Sequence, residues 1–269
     1  MIDDGEIAAH YGRPTLIDEL EAALTAAEPE VDSRSPAVLA GFDEFHLGGR
    51  PATQALIDSL ELQADGAVLD VGCGVGGAAR VIAATTGCSV VGIDLTPEFV
   101  ETARWLSGRV GMSEQTDFRV GSALALPFEG NVFAAVTMLH VGMNIADKEA
   151  LMSELGRVLV PGGRLGIYDI MRMDEGEPEF PLPWSAGPET SFLSSPDHYI
   201  EAISAAGLSV VSKRDRRPLV LDAIAAIRES PPLVDLGHLM GADWPRMQGN
   251  MIRAFRAGIV SPVEIVAQK

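Results

Sequence analysis

Residues 68–80 read Val68-Leu-Asp-Val-Gly-Cys-Gly-Val-Gly-Gly-Ala-Ala-Arg80. An apolar run reaches an acid, Asp70, and the chain then passes Gly72, Gly74, Gly76 and Gly77 into an alanine-rich segment of helical character. Glycine lacks a β-carbon, so it takes positive φ and lets a ligand lie against the main chain. A second apolar run, Ser89-Val-Val-Gly-Ile-Asp94, follows about one helix later and also ends on an acid. Strand, glycine loop, helix, strand and terminal acid is the order of a unit that grips a ribose through its hydroxyls. The stretch therefore reads as a nucleoside-cofactor site.

Working outward, strand and helix patterns alternate from residue 67 onward. Strands are predicted at 67–71, 89–93, 117–120, 132–138, 163–169, 208–215 and about 259–267, with helices between most of them. Such alternation predicts an α/β fold with a doubly wound sheet, in which ligands sit beyond the carboxyl ends of the strands beside the first one. Asp70, Asp94, Ser122, His140 and Asp169 all fall at or just after predicted strand ends, which places them around one cleft. Before the alternation, residues 1–60 read as an N-terminal helical cap. It starts with Ile7-Ala-Ala-His-Tyr-Gly12, turns helical from 16 to 27 with Leu16, Leu20 and Leu24 on one face, crosses a polar connection at 29–36, and ends in a helix at about 52–60. Residues 61–269 are the sheet domain. Two stretches interrupt it. Residues 171–196 hold five prolines with Phe180, Trp184 and Phe192 and read as a long ordered loop, while 219–257 form a helical insertion broken at Pro231-Pro232 and Pro245.

Composition narrows the function. A chain of 269 residues with 47% hydrophobic content buries a large core. A formal charge of −18 repels phosphate backbones and anionic lipid, which argues against nucleic acid and membrane partners and for a cationic or neutral small substrate. Cys73 and Cys88 are the only cysteines, too few for a disulfide framework, and no apolar run reaches spanning length. The acidic N-terminus is no signal peptide, so a cytoplasmic protein is expected.

Asp70-x-Gly72-x-Gly74-x-Gly76, Asp94 and the later Leu159-Val-Pro-Gly-Gly-Arg164 resemble the glycine loop, ribose acid and late hairpin of class I S-adenosylmethionine-dependent methyltransferases. The resemblance implies a seven-stranded Rossmann-like sheet from about residue 40 to the C-terminus. The narrower likeness is to the sarcosine/dimethylglycine N-methyltransferase-like branch. It rests on Asp43-Glu-Phe-His-Leu-Gly-Gly49, His140-Val-Gly-Met-Asn-Ile-Ala-Asp-Lys148, Phe180-Pro-Leu-Pro-Trp184 and Ser191-Phe-Leu193. The implied cofactor is S-adenosyl-L-methionine, held by Asp70, Gly72, Gly74 and Gly76, by Asp94 and Leu95 at the ribose, by Ser122 and Ala123 at the adenine, and by Tyr11 from the cap. Many relatives carry an acid after the third strand. Here Ser122 offers a hydroxyl instead, either accepting from the adenine amino group or serving as a plain turn residue.

Methyl transfer from a sulfonium is a direct displacement, so the protein has to align the partners and exclude water. His140 and Asp169 are the catalytic candidates, the imidazole as base or substrate contact and the carboxylate orienting it from the neighbouring strand tip. Met143 and Asn144 in the next turn, with Phe180 and Trp184 in the 171–196 loop, are substrate candidates. The loop is expected to be a lid with both aromatics facing the transferred methyl, suited to a methylammonium-like acceptor. The alternative packs those aromatics on the C-terminal helices or on a second subunit, which leaves a homodimer open. His10-Tyr11 and Phe45-His46 are expected to close over the cofactor. Asp147 and Lys148 are expected to be solvated, and no metal site is expected because His46 and His198 lack companions at ligand spacing. Gly72, Gly74 and Gly77 also satisfy a dinucleotide motif, but no tyrosine has a lysine four residues on, against a short-chain dehydrogenase. The expected reaction is methylation of nitrogen or oxygen. The alternatives are carbon methylation in quinone or natural-product synthesis, and a catalytically silent cofactor-binding protein.

Overall fold

A computed structural model of the chain describes residues 11–27, 39–64 and 66–269. The segment expected at residues 7–12, up to and including His10, and the polar connection expected at 29–36 lie outside the described residues. In chain order the helices are α1 (Leu16–Ala27), α2 (Gly49–Leu60), α3 (Gly77–Thr86), α4 (Pro97–Arg109), α5 (Lys148–Val158), α6 (Pro196–Ala205), α7 (Arg217–Glu229), α8 (Gly237–Met240) and α9 (Trp244–Arg256). The strands are β1 (Ala67–Val71), β2 (Ser89–Asp94), β3 (Thr116–Val120), β4 (Phe133–Leu139), β5 (Leu159–Arg172), β6 (Ser209–Asp215) and β7 (Val260–Gln268).

The seven strands form one sheet in the order β3-β2-β1-β4-β5-β7-β6. All neighbours pair in parallel except β7, which runs antiparallel to both β5 and β6. The order reverses between β1 and β4, and that reversal opens a crevice above the tip of β1. Side-chain alternation along β1 divides the core. Val68 packs with Val90, Val100 and Phe118 on one face, whereas Leu69 packs with Val136, Leu155, Ile167 and Ile203 on the other. Each fully buried Leu or Ile contributes about 1.5–3 kcal/mol. The predicted strands all occur, with β5 longer because the Pro-Gly-Gly turn at 161–163 is part of its run.

Capping accounts for several boundaries. Asp147 accepts from the Ala150 amide at 2.8 Å and starts α5, so this acid is a helix cap. Lys148, expected at the surface, is buried: its ammonium donates to the carbonyls of Ile145 and Phe192 and lies 5.5 Å from the Tyr199 ring. Pro245 sits in the first turn of α9, where its missing N–H costs nothing, so it opens that helix rather than breaking one. Arg13, just ahead of α1, donates to the carbonyls of His238 and Leu239 at 2.7 and 2.9 Å and fastens the cap to α8. Among the described residues no helix is long and apolar enough to cross a membrane.

Candidate active site

The glycine loop is stitched to β2 by two backbone bonds, from the amides of Gly72 and Cys73 to the carbonyl of Ile93, at 2.7 and 3.0 Å. Gly72 has φ +70°, and a β-carbon there would meet a Val141 methyl at 2.2 Å. Gly74 has φ +52° with nothing within 4 Å of where a β-carbon would stand. That open face belongs to a cavity of about 260 Å³ lined by the tips of β1, β2 and β4, the cap, the 171–196 loop and the helical insertion.

At the β2 end, Asp94 Oδ2 accepts from the Gly74 amide at 2.8 Å and Oδ1 from the Thr96 amide at 2.9 Å. Burial raises its carboxyl, against the pull of those amides. The Thr96 hydroxyl and the Leu95 amide also favour the ionised carboxylate. At the β1 end, Asp70 is buried, and its Oδ1 accepts from the Thr137 hydroxyl at 2.8 Å. Its Oδ2 is buried with no hydrogen-bond partner, and burial pushes the carboxyl up to about 7 while Thr137 pulls the other way. A buried orphan oxygen of this kind calls for a donor from a ligand. Leu95, Thr96, Phe99, Ser122, Ala123 and Leu124 line the pocket beyond Asp94. Ser122 Oγ accepts from the Leu124 amide at 3.2 Å, as a turn serine does.

His140 ends β4 at φ +55°, its amide held by the Tyr168 carbonyl at 2.8 Å. Its ring stacks on Tyr168 at 5.3 Å and 11° and meets the edge of His46 at 5.8 Å. Nε2 is buried without a partner, and burial, reinforced by His46, drives the ring's pKa well below the usual histidine range. The expected bond from Asp169 to His140 is absent. Tyr168 and Asp169 are neighbours on a strand and point to opposite faces, and His140 is on the Tyr168 side. Asp169 instead takes the Tyr199 hydroxyl at 2.7 Å and the Ile170 amide at 2.9 Å, and it does not line the cavity. Burial raises its carboxyl to about 6, opposed by the Tyr199 bond and by Lys148. A β-carbon on Gly142 would stand 2.5 Å from Asp169 Oδ2, so this acid packs under the turn that carries Met143 and Asn144.

Tyr11, Met143, Asn144 and Trp184 all line the cavity. Asn144 joins the cap to the 171–196 loop: its Oδ1 accepts from the Tyr11 hydroxyl at 3.4 Å and its Nδ2 donates to the Trp184 carbonyl at 2.6 Å. Reciprocal bonds between Leu182 and Ser185, at 2.8 and 3.1 Å, form a tight turn with Pro183 and Trp184 at its tip, and both line the cavity. Phe180, expected to face the methyl, lies before that turn and packs with Met251 and Phe255 of α9, off the cavity wall.

Sequence reasoning missed a network on the cap side. Glu44 is buried, and its Oε2 accepts from His46 Nε2 at 3.0 Å and from the Thr53 hydroxyl at 2.6 Å. Burial alone would raise the Glu44 carboxyl, but these bonds and the nearby Arg50 bring it below its ordinary value. The Glu-x-His spacing in residues 44–46 was the available signal. Also unassigned were Ile224 and Ile227 of α7, three residues apart on one helix face, and Met251 and Ile252 of α9, which line the cavity from above. Among the described residues no three His, Cys, Asp or Glu side chains converge on a metal position.

Residues 69–167 match a family model described as a methyltransferase domain. The sterol 24-C-methyltransferase of Saccharomyces cerevisiae is 37% identical over 115 residues, 42% of this chain and 30% of that enzyme. The chain spans less than half the length of the first curated relatives it matches. Among solved structures, the geranyl diphosphate C-methyltransferase of Streptomyces coelicolor A3(2) superposes with TM-score 0.65 at 22% identity, covering 81% of this chain and 76% of that one. The [4+2]-cyclase SpnF superposes with TM-score 0.66 at 21% identity, covering 96% and 98%. The orphan oxygen of Asp70, the open cradle at Gly74 and the carboxylate of Asp94 lining the same cavity fit S-adenosylmethionine, and residues 69–167, which carry all three, are the part of the chain that matches the methyltransferase domain model.

Proposed function

We propose that the chain transfers a methyl group from S-adenosylmethionine to an oxygen or nitrogen of a small-molecule acceptor, with His140 taking the acceptor's proton. The observation that carries this reading is that Asp70, Asp94 and His140, whose Nε2 makes no hydrogen bond, line one cavity. When bound, S-adenosylmethionine supplies an electrophilic methyl on a sulfonium. Asp94 accepts from the ribose hydroxyls, the Asp70 oxygen receives the ammonium of the amino-acid end, and the glycine loop lets both approach the main chain. Leu95, Phe99 and Ala123 hold the adenine by apolar contact. His140 contributes a ring that burial keeps neutral and that Tyr168 holds in orientation, with a buried Nε2 that makes no hydrogen bond of its own and can take a proton. Trp184 and Pro183, at the tip of their turn, together with Tyr11 from the cap, exclude water.

The narrower likeness to the sarcosine/dimethylglycine branch supports an amine acceptor, since residues 44–49, His140, Asn144 and Trp184 all touch the cavity. Similarity to a sterol 24-C-methyltransferase supports a second reading, carbon methylation. The fold shared with a [4+2]-cyclase supports a third, a cofactor-binding protein without methyl transfer. Incubation with methyl-labelled S-adenosylmethionine separates them: label on oxygen or nitrogen of a product bears out the first, label on carbon the second, and cofactor binding without release of label the third.

A further inference from the structure

The cavity has two unlike ends, and the inference drawn from them rests on the methyltransferase reading above. Asp70, Asp94 and the glycine loop mark the cofactor end. At the other end the walls are Phe45, Met143, Trp184, Ile224, Met251 and Ile252. Met143, Trp184 and Met251 are buried there, and Ile227 continues the same face of α7 to the mouth, where it is 55% exposed. The buried polar side chains near this end are engaged with protein groups. Asn144 is bonded to Tyr11 and to the Trp184 carbonyl. Glu44 Oε2 is occupied by His46 and Thr53, and its Oε1, which accepts no hydrogen bond, faces the Arg50 guanidinium at 3.7 Å. Gln248 lines the rim and is exposed. An ammonium or phosphate placed between α7 and α9 would lose its hydration without gaining a counter-ion, at several kcal/mol per ion. Apolar surface placed there gains about 0.8 kcal/mol per CH₂. Polar chemistry is concentrated on the sheet floor, where the rings of His46 and His140 lie 5.8 Å apart.

We propose that the acceptor is a neutral, elongated molecule that presents a single phenolic or enolic hydroxyl to His140 and lays an apolar body of several carbons between α7 and α9. In the transfer the hydroxyl oxygen forms the new bond to the methyl carbon, its proton passes to His140, and the electrons of the carbon–sulfur bond return to sulfur. Charge balances, since a cationic methyl donor becomes a neutral thioether while His140 takes up the proton.

The test uses the full chain and a series of 4-alkylphenols from methyl to octyl, read by tryptophan fluorescence. Trp184 and Trp244 both line the cavity, so occupancy perturbs them directly, without turnover. The expected result is that Kd falls about threefold to fourfold for each added CH₂, the factor that corresponds to about 0.8 kcal/mol. Ile224→Glu is expected to weaken octylphenol binding at least tenfold. Leu221→Glu, an exposed position on the same helix that does not line the cavity, leaves it unchanged. Met251→Gln repeats the test from α9, and an unaltered S-adenosylmethionine affinity by calorimetry certifies that each variant is folded. Affinity independent of chain length, equal binding in Ile224→Glu, or tighter binding of sarcosine than of octylphenol overturns the proposal. Alkylphenol binding with the expected dependence but without S-adenosylmethionine binding would uphold the pocket and discard the methyltransferase reading. Cofactor binding without alkylphenol binding would do the reverse.

Discussion

The His140 ring stacks face to face on Tyr168 at 5.3 Å, and the Tyr168 hydroxyl donates to the Leu47 carbonyl at 2.7 Å, so one cap residue braces the histidine through a single intervening ring. The brace fixes where the His140 ring stands, and burial fixes its charge. Loss of a general base costs on the order of a hundredfold or more, and His140→Ala is expected to lower kcat by that factor while leaving the S-adenosylmethionine Kd within twofold. A kcat and Kd both at wild-type values would make His140 structural.

The protonation state of His140 gives a separate test. Its pKa is depressed by burial, so the neutral base persists as pH falls through about 6.5, the ordinary histidine value, and is lost only at lower pH. With cofactor saturating, kcat is expected to show no inflection between about pH 8 and 6 from this group. A limb with an apparent pKa near 6.5 that disappears in His140→Ala would contradict the assignment.

Asp70 behaves in the opposite sense. Burial raises its carboxyl to about 7, so it is ionised above that pH and protonated below. A cationic amino group is bound by the ionised form, and S-adenosylmethionine affinity should therefore weaken about tenfold between pH 8 and 6. Asp70→Asn should bind more weakly at pH 8 and show a flat profile. Calorimetry across that range reads both, and a wild-type profile as flat as the variant's would remove Asp70 from the cofactor end.

Asp94 holds the amides of Gly74 and Thr96 and is assigned the ribose hydroxyls. Asp94→Ala removes a charged acceptor, and hydrogen bonds to charged groups are worth about 1.5–3 kcal/mol each. A cofactor Kd at least tenfold weaker is expected by calorimetry, in a variant whose circular dichroism matches wild type. Unchanged affinity would reject the ribose assignment.

The cap is fastened to the glycine loop by a buried ion pair, Arg80 Nη2 to Asp43 Oδ2 at 2.9 Å, and Arg80 also donates to the Val75 carbonyl at 2.8 Å. Removing one partner leaves the other charge buried alone, at a cost of about 3–5 kcal/mol. Asp43→Ala is therefore expected to shift the denaturant midpoint strongly downward, and Asp43→Ala with Arg80→Met to recover part of the loss. A midpoint within error of wild type for Asp43→Ala would show the pair to be dispensable.

The sheet was legible because its determinants are local. Each strand is an apolar run bounded by turn residues, and the glycines of 72–77 announce a backbone that only they adopt readily. The placement of Asp70, Asp94 and His140 followed from strand ends alone. Asp169 did not, because position at a strand end says nothing of the face, and one residue of register sends the side chain to the opposite side of the sheet. Trp184 and Phe180 were indistinguishable as aromatics in a proline-rich loop. Which of them reaches the cavity depends on the 182–185 turn, a tertiary result. Lys148 looked solvated because lysine usually is, and its burial rests on two carbonyls far apart in sequence. The Glu44–His46 pair lay within three residues but required the fold to bring Thr53 and His140 beside it.

The most direct measurement is the fate of a labelled methyl group. The full chain is incubated with methyl-labelled S-adenosylmethionine, a metabolite extract and the 4-alkylphenol series, and organic-soluble products are counted beside a His140→Ala control. The expected result is label in a product at an oxygen or nitrogen, dependent on His140, with S-adenosylhomocysteine formed in equal amount. Tight cofactor binding with all label retained on the cofactor across the extract and the series would contradict the assignment.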